Sequence, residues 1–418
     1  MQARTGPELQ AQRRQTRGQA AAWFEDVSWR QRLPHGEAHG RNRCSALPAV
    51  ARLARRMVTD GNLVPLRTGP LVAARLPHGT SKFLRDRQAR VVRYLRISLT
   101  DRCNYRCTYC MPERGIDLVP KAEVLSLEEI VRLCRAFVGW GVERVRLTGG
   151  EPTIRRGLVD LVGELSTIPT RDGHLRVAMT SNGELLAELA EPLARAGLRS
   201  VTISLDSLDA RRFRTITRRG RLERVLAGID AARQAGFSPI KLNTVAIRSF
   251  NDDELADLCR FAWARRLVPR FIEPMPMFGG ALYVPGSLIS GSEVRQRIAA
   301  ELGAKLVSDA AEDVRGLGPA SYWRVVGGSH AGERLGTIAP MTENFCASCN
   351  RLRISATGQL HACLAYDDAG DLRAALRSTD PTRLESVVRT ILAGKREGHA
   401  FVGDGHGGPL KAMVSIGG

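Results

Sequence analysis

The chain lacks any apolar run near the ~18 consecutive residues that a membrane-spanning helix requires. Near its first residues there is no apolar core of the kind a secretory leader carries, so export is not expected. Cysteine is too sparse for a disulfide framework: there are nine in 418 residues, an odd number. That usage fits a reducing compartment, the cytoplasm, and metal ligation better than cross-linking. Acidic residues are few as well. Asp and Glu number 43 against 62 Lys and Arg, leaving a net charge of +19. Much of the excess is local, since residues 1–90 carry 17 Lys/Arg against 6 Asp/Glu, or +11. The other 328 residues hold only +8. A surplus of that size suits a binder of polyphosphates as well as one of nucleic acid; of the two, nucleic acid is not the expected partner.

Residues 1–84 are rich in Arg, Gln, Ala and Gly and show no sustained period. Such a composition buries too little apolar surface to offset ordering entropy, so this stretch reads as a disordered and dispensable extension. An Arg-rich transit peptide and a nucleic-acid tail are its functional alternatives, and a later start at Met57 is another. The interspersed acids Glu25, Asp26 and Glu37 speak against transit. Cys44 has no evident partner there.

From Val91 the pattern turns regular. Strand-like runs at 91–99, 143–148, 174–180, 199–205, 239–247 and 268–273 alternate with amphipathic segments at about 126–138, 157–166, 184–196, 221–235 and 252–264. Six such alternations predict parallel βαβ units. The fold class is therefore α/β, an incomplete (β/α)6 relative of the TIM barrel over 85–276. A C-terminal region, 277–418, follows, in which the rhythm stops apart from a helix near 292–302. In folds of this kind chemistry gathers at the C-terminal ends of the strands.

The first strand runs straight into Cys103, Cys107 and Cys110, spaced x3 and x2. Thiolates are the usual ligands of iron–sulfur clusters, and three of them leave one iron of a four-iron cube open. A zinc knuckle would need a fourth Cys or His nearby, and none is supplied. Tyr109, between two of these cysteines, offers either stacking or plain packing. The second strand ends in Gly149-Gly150-Glu151-Pro152, where glycines permit close backbone approach and the carboxylate could receive an amine. Thr180-Ser181-Asn182-Gly183, Ser204 and Asp206 finish the next two strands. Lys241 and Asn243 lie on the fifth, and Arg270, Glu273 and Met275 on the sixth. Cations in a barrel mouth are costly unless an anion meets them; Glu273 or Asp206 would be the internal candidates. Cys134 and Cys259 fall on apolar helical faces and read as core. A second triad, Cys346, Cys349 and Cys363, follows with spacing x2 and x13, and Arg351 and Arg353 stand beside it as planar forks for phosphate. A zinc ribbon is the rival here, again short of a ligand. The chain ends in Gly417-Gly418, which would ordinarily be a frayed terminus.

The cysteine spacing resembles the radical S-adenosylmethionine (SAM) superfamily. Both triads, the GGEP element, the Arg-x-Arg and the terminal Gly-Gly together resemble its GTP 3′,8-cyclase family of molybdenum cofactor biosynthesis, from about Arg85 to Gly418. The resemblance implies a [4Fe–4S] cluster on Cys103, Cys107 and Cys110 and a second on Cys346, Cys349 and Cys363. It implies SAM contacts from Tyr109, Gly150, Ser204 and Met275, and GTP contacts from Arg96, Arg146, Thr180, Lys241, Arg351 and Arg353. Arg270 would be a further triphosphate or active-site contact, and Gly417-Gly418 would support radical formation. The reaction implied takes hydrogen from ribose C3′ of GTP and joins that carbon to C8, giving (8S)-3′,8-cyclo-7,8-dihydroguanosine 5′-triphosphate. The partners implied are an external electron donor, the cyclic pyranopterin monophosphate synthase downstream, and a second copy in a homodimer. Two other classes compete: a peptide-modifying radical SAM enzyme, for which no peptide-recognition module is seen, and a basic zinc protein that binds nucleic acid.

Overall fold

The computed structural model describes residues 83–309 and 318–416; the extension up to Lys82, with Cys44 and Met57, and the Gly417-Gly418 tail lie outside them. Six strands form the first part of the sheet: β1 (Tyr94–Ser98), β2 (Arg144–Thr148), β3 (Arg176–Ser181), β4 (Ser200–Ser204), β5 (Lys241–Val245) and β6 (Val268–Ile272). Between them run α1 (Leu127–Gly139), α2 (Leu158–Ser166), α3 (Leu186–Arg195), α4 (Ala210–Thr217), α5 (Leu222–Gln234) and α6 (Leu255–Ala264). The six strands pair in chain order and all are parallel, as the alternation predicts.

Local chemistry explains the helices. In α1 the Ser126 hydroxyl accepts from Glu129 N at 3.2 Å, and the Glu129 carboxylate accepts from Ser126 N at 2.9 Å, a reciprocal cap. Ile130, Leu133, Cys134 and Phe137 then fall on one face and are fully buried. Cys259 in α6 is equally buried, so both isolated cysteines are core. The unforeseen helix is α4, whose eight residues include three arginines. Its stop-start signal is the Asp209 carboxylate, which accepts from Arg212 N at 2.9 Å, and its buried residues are Phe213, Ile216 and Thr217.

Beyond Pro276 the structure departs from expectation. After α7 (Gly291–Leu302) come β7 (Lys305–Ser308), β8 (Ser321–Val326), β9 (Arg334–Ile338), β10 (Arg351–Ile354), β11 (Gln359–His361) and β12 (Gly370–Asp371), then α8 (Leu372–Leu376) and α9 (Arg383–Ala393). These strands enlarge the first sheet rather than build a separate one. β9 adds parallel to β6, and β10 adds parallel to β1 at the opposite edge. The result is a twelve-stranded sheet in the order β12-β11-β10-β1-β2-β3-β4-β5-β6-β9-β8-β7, with eight consecutive parallel strands at its centre. Hydrogen bonding leaves it open, with β12 and β7 as its ends. Of the late strands, β9 and β10 join the sheet through partners far away in the chain, whereas the rest pair locally and antiparallel.

Alternation sorts the two faces. Leu95, Ile97, Val145, Leu147, Val177 and Met179 are wholly buried within the hydrophobic core. Their strand neighbours, polar and basic, point to the other face. Among the described residues no helix is long and apolar enough to cross a membrane.

Candidate active site

The polar face encloses a cavity of about 320 Å³ that opens into a wider hollow and is lined from all eight parallel strands. A cavity bordered by strands so far apart in the sheet order requires the sheet to curl around it. Its wall contains all six cysteines of the two triads, together with Tyr109, Gly150, Ser204, Met275, Arg96, Arg146, Thr180, Lys241, Arg270, Arg351 and Arg353. Every proposed site residue that is described therefore meets the others in one place; Gly417 and Gly418 are not described.

The first triad is held by its surroundings. Arg106 N donates to Thr217 O at 3.0 Å and Thr108 N to Ile216 O at 2.9 Å, tying the cysteine loop to α4. Asn182 Nδ2 donates to Asn104 Oδ1 at 2.8 Å, tying it to the end of β3. The Gly149-Gly150 turn lies directly beneath: Gly150 N donates to Thr100 O at 2.7 Å, and a Cβ at Gly150 would stand 2.0 Å from Arg102 O. Glycine here is required by close approach of two backbones. Burial pushes the Cys103 thiol up to about 12 and Cys110 up to about 11, and burial with the neighbouring thiols raises Cys107 far above the usual range. Three such thiols become thiolates together only around a cation, which is the condition a cluster meets.

The Glu151 carboxylate is buried and already accepts from Thr153 N, the Thr153 hydroxyl, the Ser181 hydroxyl and Asn182 N, at 2.6–3.0 Å. It pins the end of β2 to β3. Tyr109 is likewise more than packing, since its hydroxyl donates to Asp206 Oδ2 at 2.9 Å while Val245 N donates to Asp206 Oδ1 at 2.8 Å. Burial raises Asp206 to about 6.

The second triad faces the same cavity from the edge strand β10 and the loops beside it. Ala365 N donates to Cys363 Sγ at 3.5 Å, and Arg351 Nη2 and Lys395 Nζ each lie 3.7 Å from Cys349 Sγ. Burial opposes ionisation of Cys349, but Arg351 and Lys395 outweigh it and bring the thiol down to about 6. As placed, no three His, Cys, Asp or Glu side chains among the described residues converge on one ion. A cube takes each thiolate on a different iron, so it does not ask for such convergence.

Between the triads lies a field of cations. Register places Arg353, Arg96 and Arg146 side by side on β10, β1 and β2, with Arg351, Tyr94 and Arg144 one pleat away. Among the described residues, Arg144, Arg146, Lys241, Arg270 and Arg351 form no ion pair with a carboxylate. The internal acids are engaged elsewhere: Glu273 accepts from Gly291 N, Met341 N and Thr342 N at 2.8–3.1 Å. Arg146 is the most restrained cation, donating to the Tyr94 hydroxyl, Met179 O, Thr180 Oγ1 and Thr202 Oγ1. Arg270 donates to Asn243 Oδ1 at 3.0 Å and Thr202 Oγ1 at 3.3 Å. Burial, then mutual repulsion, lowers Lys241 to about 7 and Arg353 to about 10. The arrangement is built for a polyanion. Tyr94 and Arg144 could have been found by counting two residues back from Arg96 and Arg146 along their strands. Tyr322, His399 and Lys395 carried no local signal.

Residues 412–414 pack onto the first triad. Val414 N–H donates to the Cys110 thiol, and Ala412 and Val414 pack with Met111 in a small buried cluster beside Cys103 and Cys110.

A cysteine loop at the mouth of a parallel α/β sheet defines the class: residues 97–262 match the Radical SAM superfamily, and residues 268–401 match Molybdenum Cofactor Synthesis C. The chain is 44% identical over 341 residues to GTP 3′,8-cyclase of Pseudomonas putida (strain W619), covering 81% of this chain and 99% of that protein. The protein of that name from Rhodopseudomonas palustris is 44% identical over 78% of this chain and 93% of its own length. This chain belongs to the GTP 3′,8-cyclase family of radical SAM enzymes, and its cofactors are accordingly an iron–sulfur cluster and SAM. Among solved structures, Streptococcus suis SuiB bound to precursor peptide SuiA aligns with 71% of this chain and 59% of that chain, at 16% identity and TM-score 0.42.

Proposed function

We propose that the cavity cyclises GTP, with SAM held at the first triad and the nucleotide between the two triads. The observation that carries this reading is the row of cations, Arg353, Arg96 and Arg146 with Lys241 and Arg270, set between two sets of three thiols in one cavity. When bound, a [4Fe–4S] cluster and SAM supply a carbon-centred radical able to remove a hydrogen atom from ribose C3′ of GTP.

The residues then divide the remaining work. Cys103, Cys107 and Cys110 hold the first cluster, and Cys346, Cys349 and Cys363 hold a second near the base. Tyr109, Gly150, Ser204 and Met275 border SAM, with Tyr109 oriented by Asp206. Arg351 and Arg353 supply bidentate forks for phosphate oxygens. Lys241 and Arg270 add point charge, and Arg96, Arg146 and Thr180 complete the triphosphate wall. Holding ribose and base in one orientation is the main catalytic service, because C3′ must lie over C8 for the ring to close. The curled sheet excludes water that would quench a radical. The resemblance gives Gly417-Gly418, which lie outside the described residues, a part in radical formation.

The reading extends to a sheet that functions as an incomplete barrel, with residues 277–418 as the part that supplies the second cluster and most of the phosphate cradle. It places the enzyme in the cytoplasm as a homodimer, fed by an external electron donor and followed by the cyclic pyranopterin monophosphate synthase. The test is anaerobic incubation of reconstituted protein with SAM, dithionite and each nucleoside triphosphate. GTP alone should yield the 3′,8-cyclised product. Equal consumption of ATP, or SAM cleavage indifferent to GTP, would overturn the assignment.

A further inference from the structure

Lys395, just past α9, is 4% exposed, yet among the described residues it has no carboxylate partner. Its Nζ donates to Arg351 O at 2.9 Å and Ala362 O at 2.7 Å and lies 3.7 Å from Cys349 Sγ. An ammonium has three N–H donors and no acceptor, so the three acceptors match it one for one. Arg351 stands two residues after Cys349, and Ala362 immediately before Cys363. One side chain thus joins the two chain segments that carry two of the three thiols.

The contrast with Arg90 sharpens the point. Arg90 also reaches the triad, donating to Cys346 O at 2.7 Å, but it brings its own counter-charge in Asp86 at 2.6 Å. Lys395 has none, and its charged neighbours Arg90 and Arg351 are cations. A buried cation is costly unless an opposite charge compensates it. We infer that Lys395 is a positioning residue of the second triad: it clamps the Cys349 and Cys363 segments together and supplies the counter-charge to the cluster they hold. The inference rests on the second triad's being a cluster site. Three thiolates give a four-iron cube a net negative charge that grows on reduction, and hydrogen bonds and charge at the sulfurs set its potential. An ammonium at Cys349 therefore favours the reduced form.

The experiment uses the full chain in a Cys107→Ala background, so that any iron signal comes from the second triad. Parent, Lys395→Met and Lys395→Arg are reconstituted anaerobically, and three quantities are read: iron and sulfide per chain, the rate of iron loss to a chelator, and the midpoint potential by spectroscopic redox titration. Lys395→Met should lose iron about ten- to hundredfold faster, the usual consequence of removing a partner of a ligand. Its midpoint should move to more negative potential. Lys395→Arg, which keeps the charge, should hold the midpoint near the parent value. Parent-like retention and potential in Lys395→Met would overturn the inference, as would a shift in Lys395→Arg as large as that in Lys395→Met. If Lys395→Met does not fold, the arginine variant decides by itself: a parent-like midpoint supports the counter-charge and a negative shift refutes it. A parent protein that binds no iron refutes the cluster reading underneath, and is told apart by that result.

Discussion

Lys241 offers a test in which substrate binding and fold stability should respond to pH in opposite directions. Burial first, then Arg270, Arg146 and Arg144, lowers its ammonium from 10.5 to about 7 in the empty cavity. The other group facing it is the ring of Tyr322, 5.9 Å from Nζ. A triphosphate would bring negative charge to this spot and restore the protonated amine. Binding above pH 7 must then draw a proton from solvent, at about 1.4 kcal/mol for each unit of pH. GTP affinity should accordingly fall about tenfold per pH unit between pH 8 and 9, with uptake approaching one proton. Titration calorimetry in buffers of different ionisation enthalpy, under anaerobic conditions, reads both quantities. Lys241→Met should bind more weakly and without the slope, while Lys241→Arg should keep charge and lose the slope. For the empty protein the sign reverses. The folded amine releases its proton near pH 7 and the unfolded one near 10.5, so the unfolded chain binds more protons across that window. This group's contribution to stability thus rises with pH from 7 to about 10. A wild-type GTP affinity as flat as that of Lys241→Met over pH 7–9 would remove Lys241 from the triphosphate.

The two triads should separate by function. Cys107→Ala is expected to abolish reductive SAM cleavage with loss of about half the iron, whereas Cys349→Ala should keep SAM cleavage, uncoupled from GTP; equal loss in both, with the other cluster intact, would end the proposed division. Gly150→Ala should displace the first cysteine loop, because its Cβ would meet Arg102 O at 2.0 Å and the backbone there must shift. Loss of first-cluster iron at unchanged second-cluster iron is the expected reading, and full iron loading in that variant would contradict the close approach.

Much of this was legible in the sequence because the signals are local. The x3-x2 cysteine spacing, the Gly-Gly turn and the Arg-x-Arg pair each lie within a few residues, and their chemistry follows from residue type. The first six strands were legible for a related reason: short β-favouring runs separated by amphipathic segments are the local mark of βαβ units. The capping pair Ser126 and Glu129 marks the start of α1 in the same way. Glu151 shows what local reading omits. A carboxylate beside two glycines reads as a ligand, and only the approach of Ser181 and Asn182 from the next strand shows that it also ties β2 to β3.

What the sequence by itself determined is the inventory: two sets of three thiols, a surplus of cations on alternate strand positions, and the β/α order that carries them. Tertiary structure alone decided the neighbours. No pattern in Arg351-Leu-Arg-Ile states that β10 will lie against β1, 257 residues earlier, and so set Arg353 beside Arg96 and Arg146. Nor does any pattern place Lys395 between the carbonyls of Arg351 and Ala362. The physical reason is that strand pairing and side-chain burial are settled by the whole chain's packing. A sheet gains the same backbone hydrogen bonds from any partner, and the choice falls to the arrangement that buries the most apolar surface while leaving the cations a cavity in which an anion can meet them.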